Sequence, residues 1–90
     1  MTSTLQIEGE LTILTASEHH ERLLQAFGDG DVEVGLSGVT DLDTAGLQVL
    51  LLARREARRR GVVLRLAGLS PAVLDVLALA RLTPELEAAA

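Results

Sequence analysis

Leu36-Ser-Gly-Val-Thr40-Asp-Leu-Asp-Thr44-Ala-Gly-Leu47 decides how the chain is read: an apolar strand ends in it, a polar turn follows, and a long helix begins. Asp43 stands where an N-cap belongs, just before the apolar-periodic run from Leu47. Its carboxylate can accept from the unpaired N–H groups of the first helical turn. Thr44 is thereby placed at a helix N-terminus, whose partial positive charge and free donors suit an anion, or a hydroxyl that could become a phosphate. Gly46 within that first turn costs up to about 1 kcal/mol against Ala. A close approach by another backbone or by a partner is the expected reason for it.

Working outward, Leu5-Gln-Ile-Glu8 and Glu10-Leu-Thr-Ile13 alternate apolar and polar residues around Gly9, which reads as two short strands joined by a turn. Thr15-Ala-Ser-Glu18 has capping-box spacing and opens a helix through about Phe27 that buries Leu23, Leu24 and Phe27. Val32, Val34 and Leu36 form a third strand. The helix from Thr44 stops at Gly61, a fourth strand covers Val62 to Leu66, and Ser70-Pro71 caps a third helix running to about Leu82. Thr83-Pro84-Glu85 could start a last turn. The strands have one apolar and one polar face, so the sheet should be covered by helices on one side only. Right-handed crossovers then require the strands to be added in a constant direction.

Ninety residues with 48% hydrophobic content make one small α/β domain, residues 1–90, with no room for a second. One Phe, no Trp and no Tyr give an aliphatic core and no aromatic platform for bases. A net charge of −5 argues against nucleic acid as partner. With no cysteine and no signal-peptide pattern at Met1-Thr-Ser-Thr4, the expected location is cytoplasmic. No apolar run approaches transmembrane length, so no direct membrane insertion is expected. The charge is asymmetric: residues 46–90 hold seven of the eight arginines, five of them in Arg54-Arg55-Glu56-Ala57-Arg58-Arg59-Arg60. That run reads first as a solvated helix C-terminus complementing the dipole.

Residues with catalytic or ligating chemistry do not assemble into a pattern. His19 and His20 point about 100° apart on a helix and do not make a metal site. Asp41 reads as a turn residue and Asp43 as a cap. Ser17, Ser37 and Ser70 lack a nucleophile elbow. No catalytic residue, no metal ligand and no cofactor is therefore assigned. On a helical wheel Leu47, Leu50 and Leu51 face the sheet, while Ala45, Val49 and Leu52 fall opposite as an apolar stripe. Such a stripe is a candidate partner site.

The strand ending Val34-Gly-Leu36, then Ser37-Gly-Val-Thr40, then Asp43-Thr-Ala-Gly-Leu47, resembles the signature of STAS domains, the anti-sigma-factor antagonists and their relatives. Glu10-Leu-Thr-Ile13 and Gly68-Leu-Ser-Pro71 extend the resemblance over almost the whole chain. It implies the STAS fold, an about four-stranded mixed sheet with helices mainly on one face. It also implies a non-catalytic module that docks onto a protein partner through Asp43, Thr44, Ala45, Gly46, Val49 and Leu52. In sporulation-type antagonists the motif is Asp-Ser-Ser-Gly and the second hydroxyl residue is the kinase target; that position here is Ala45. Only Thr44 keeps a hydroxyl, as a phosphorylation site or as a docking group. The partner implied is a kinase-like anti-sigma factor or other ATPase of signalling. Asp-Thr-small-Gly is also similar to the STAS subunit of the Mla phospholipid-transport system, which makes the ATPase subunit of an ABC-type transporter the alternative.

Overall fold

A computed structural model describes residues 2–80. Strand β1 (Thr2–Leu11) leads to α1 (Ala16–Ala26), which a 3-10 turn (Phe27–Asp29) ends. Strand β2 (Asp31–Leu42), helix α2 (Thr44–Arg60), strand β3 (Leu64–Ala67) and helix α3 (Pro71–Ala80) follow. The strands lie side by side in the order β1-β2-β3, and both pairings are parallel. Each pair of parallel strands is joined by a helix, and the strands are added in one direction.

Alternation along the strands sorts the two faces of the sheet. Ile7, Leu11, Val32, Val34, Leu36, Leu64 and Leu66 are buried and join Leu23, Phe27, Leu47, Leu50, Val73 and Leu77 in one aliphatic core. The intervening Thr4, Gln6, Glu8 and Arg65 are exposed, and Glu33 lies in register with Arg65. Helices therefore cover one face, and the other is a polar surface on which Gln6 lies across Gly35.

Two details differ from the sequence reading, and a third lies outside the described residues. Gly9 is not a turn between two strands: at φ 76° it sits beside a register shift, and β1 runs through it as one strand. The described sheet accordingly has three strands, all parallel, where about four in mixed orientation were expected. Thr15 does precede α1, but its hydroxyl makes no cap bond; it donates to the Glu10 carbonyl at 2.8 Å and accepts from the Thr12 N–H at 3.1 Å. The loop claims the hydroxyl before the helix can. The third helix is described to Ala80, so its extension to Leu82 and the turn at Thr83-Pro84-Glu85 lie outside the described residues.

Helix α2 is held at both ends by local chemistry. Gly61 closes it in the left-handed region at φ 70°, and the Val62 N–H returns to the Ala57 carbonyl at 3.0 Å. At α3, the Ser70 hydroxyl accepts from the Val73 N–H at 3.3 Å, as the Ser-Pro signal implies. Between its ends α2 packs against the sheet and against α1. Burial corrects the outward stripe: Val49 is only 3% exposed and belongs to the core, Ala45 is half-buried, and Leu52 alone of the three is open, at 42%. Leu51, placed toward the sheet by the wheel, is partly buried.

Val49→Asp and Leu50→Asp are therefore both expected to unfold the domain or to cost about 3–5 kcal/mol, as uncompensated charge enters packed core. Leu52→Asp should cost about 1 kcal/mol or less. Thermal denaturation of the three variants checks this ranking.

Candidate functional site

The carboxyl ends of β1 and β2 place the loop after β1 beside the first turn of α2, and Asp43 joins the two. One carboxylate oxygen accepts from the Gly46 N–H at 2.9 Å, which is the N-cap bond. The other accepts from the Ile13 N–H at 2.9 Å, thirty residues away in sequence. Two charge-assisted bonds, that from Gly46 first and that from Ile13 second, hold its pKa below the usual aspartate value. A carboxylate with both oxygens engaged and its proton affinity lowered is a poor general base.

Gly46 has the role expected for close backbone approach, and the approaching backbone is the chain's own. A Cβ there would lie 1.9 Å from the Leu11 carbonyl oxygen and 2.7 Å from a Leu42 methyl. Gly46 is buried, so it shapes the site from beneath and offers no surface. Val49 lies deeper still. Of the six residues predicted to contact a partner, Asp43, Thr44 and Ala45 come together at the helix start, and Leu52 opens onto a separate groove between α1 and α2.

The structure adds residues that the sequence reading missed. Ile13 and Leu14, in the loop after β1, are 73% and 82% exposed. Ile13 lines one shallow depression with Asp43, Thr44, Ala45 and Gln48. The available signal was the pair Ile13-Leu14 itself, since two successive aliphatics cannot both enter a core from one strand. Reading Ile13 into the alternation of Glu10–Ile13 hid it. Thr44 is exposed, and its hydroxyl enters no hydrogen bond among the described residues. The site thus offers two aliphatic knobs, a small apolar step at Ala45 and one free hydroxyl, all on a rigid floor.

His19 and His20 part company as their spacing requires. His19 is buried, with its Nδ1 3.3 Å from Arg22, while His20 lines the α1–α2 groove. Among the described residues no three His, Cys, Asp or Glu side chains gather as metal ligands, and no helix is long and apolar enough to cross a membrane.

A family model described as "Mlab, STAS domain" matches residues 1–86. The chain belongs to the STAS domain family. Comparison with curated protein sequences gives no match. Among solved structures, this STAS domain is similar to a putative anti-sigma factor antagonist from Thermotoga maritima. The TM-score is 0.81 at 22% identity, covering 92% of this chain and 74% of that one. It is similar also to a sulfate transporter family protein from Wolinella succinogenes (TM-score 0.77, 18% identity, 94% and 70% covered). The anti-sigma factor antagonist SpoIIAA in its unphosphorylated form gives TM-score 0.68 at 17% identity, with 87% and 74% covered. At these identities the likeness is one of fold.

Two substitutions test the site's construction. Gly46→Ala should destabilise the STAS domain by about 1–3 kcal/mol despite Ala's better helix propensity, because the clash is with backbone; a denaturant midpoint reads it. Asp43→Asn can still cap α2 but loses the charge, and an amide presents only one acceptor oxygen. Because the folded pKa of Asp43 is depressed, its stabilisation is complete above the ordinary aspartate pKa of about 3.9 and fades as pH falls toward the lowered value. The stability gap between wild type and Asp43→Asn is therefore expected to be open at pH 7 and to narrow below about pH 4.

Proposed function

We propose that this chain is a non-catalytic STAS interaction module that docks onto a protein partner through the loop after β1 and the first turn of α2. The observation that carries the reading is the exposure of Ile13, Leu14 and the Thr44 hydroxyl around a helix start that Asp43 and Gly46 make rigid. A preorganised patch of this kind binds without the entropic cost of ordering itself. The partner of the leading reading is a kinase-like anti-sigma factor or a related signalling ATPase, in keeping with the fold shared with antagonists. A second reading, an accessory subunit that binds the ATPase subunit of an ABC-type phospholipid transporter, is favoured by the description of the matching family model. Both use the same surface of the module and place it in the cytoplasm.

In this reading Thr44 works as a docking hydroxyl. The neighbouring position that carries the phosphate in sporulation-type antagonists is Ala45 here. Asp43 already occupies the Gly46 donor that a phosphate on Thr44 would seek. The test is capture of partners from the source cell with wild type, Thr44→Ser and Thr44→Glu, followed by mass spectrometry. Thr44→Ser is expected to retain the partner and Thr44→Glu to lose it. An anti-sigma kinase supports the leading reading, an ABC ATPase the second, and neither overturns both. Intact-mass analysis of the native protein should show no species heavier by about 80 Da, the mass of one phosphate group. Such a species, lost in Thr44→Ala, would replace docking by a phospho-switch.

A further inference from the structure

The outward face of helix α2 continues well beyond the first turn that the docking reading uses. Ala45, Gln48, Leu52, Arg55 and Arg59 succeed one another at spacings of three and four, a single outward stripe about 21 Å long. Its ends are opposite in charge. At the N-terminal end Glu10, Asp41 and Asp43 gather around the loop after β1. At the C-terminal end Arg55, Arg58 and Arg59 are exposed, and Arg55 and Arg58 enter no ion pair among the described residues. Beside the stripe, Leu52 and Leu24 floor the groove against α1.

We propose that α2 docks against α2 of a second copy of this chain, antiparallel and about a twofold axis passing near Leu52. This arrangement layers Ala45 with Arg59 of the other copy, Gln48 with Arg55, and Leu52 with its own counterpart. It brings the acidic start of each helix to the basic end of the other. Antiparallel helices also align their dipoles head to tail, each N-terminal partial charge against a C-terminal one. The surface is self-complementary, as a twofold interface requires. A parallel arrangement would instead set Arg55 and Arg59 against themselves. An anionic membrane is the poorer occupant, because the chain is −5 overall and Glu56 lies in the groove wall. Leu52 is the one large exposed aliphatic of the stripe, so the dimer is weak, salt-sensitive and populated at high concentration. It covers Thr44 and Ala45, so the second copy and the docking partner compete.

Sedimentation velocity of the full chain from micromolar to millimolar concentration, at low and high salt, tests this. The expected result is a concentration-dependent monomer–dimer equilibrium that weakens at least about tenfold in high salt. Leu52→Asp and, independently, Arg55→Glu should be monomeric throughout, with circular dichroism unchanged from wild type. Mixing Arg55→Glu with a chain carrying Gln48→Arg should restore dimer that neither forms alone. A wild type that stays monomeric to millimolar concentration overturns the proposal, as does a dimer indifferent to both substitutions. Neither result touches the docking reading, whose test turns on Thr44.

Discussion

The two hydrogen bonds accepted by Asp43 are the constraint on which the exposed site depends. A helix N-terminus has unpaired donors, and a loop after a strand has unpaired donors; one carboxylate answers both. The Gly46 bond fixes where α2 begins. The Ile13 bond fixes the loop relative to that beginning, so Ile13 and Thr44 cannot move independently. Beneath them Gly46 lets the helix settle onto the Leu11 carbonyl, closer than any side chain would permit. Position, height and orientation of the patch follow from two residues, neither of which contributes much surface to it.

Much of this was legible in the sequence because it is local. An N-cap, a glycine stop and a Ser-Pro start depend on residues within one turn, and Asp43, Gly61 and Ser70 act as their positions imply. Strand alternation also carried over, since Glu33 and Arg65 share the helix-free face while Val34 and Leu66 enter the core. What failed needed knowledge of neighbours. A helical wheel gives the directions of Leu50 and Val49 but not how many elements pack on the helix; of the side that the wheel left open, Val49 is buried while Leu52 stays exposed. Thr15 had capping-box spacing, yet the carbonyl of Glu10, five residues earlier, offered its hydroxyl a better partner. Gly9 resembled a turn because positive φ serves turns and bulges alike.

A sheet covered on one face has consequences for a domain this small. The core is a single aliphatic layer between sheet and helices, so its helices must be buried efficiently. α2 meets that need by packing on two sides, with Leu47, Val49, Leu50, Ala53 and Ala57 all buried. Its C-terminal half is then secured by charge: Glu56 pairs with Arg59 and Arg60, and Arg60 also stacks over the Phe27 ring at 5.9 Å. Part of the arginine run thus serves α2 and its contact with α1, and only Arg55 and Arg58 remain as unpaired cations among the described residues that belong to it, Arg54 having a partner of its own.

The same geometry bears on the proposal that Thr44 works as a docking hydroxyl and not as a switch. A phosphate there would gain from the helix N-terminus, but the donor best placed for it is already bound to Asp43, whose carboxylate lines the same depression. Repulsion from that charge offsets an attraction of only about 0.3–1 kcal/mol. Relieving it would mean releasing Asp43, and with it the Ile13 bond that holds the loop. Modification at Thr44 would thus work against the rigidity that the rest of the site is built to supply. An unmodified hydroxyl requires none of this: it presents one donor and two lone pairs from a fixed position, flanked by Ile13 and Ala45, to whatever surface fits against them.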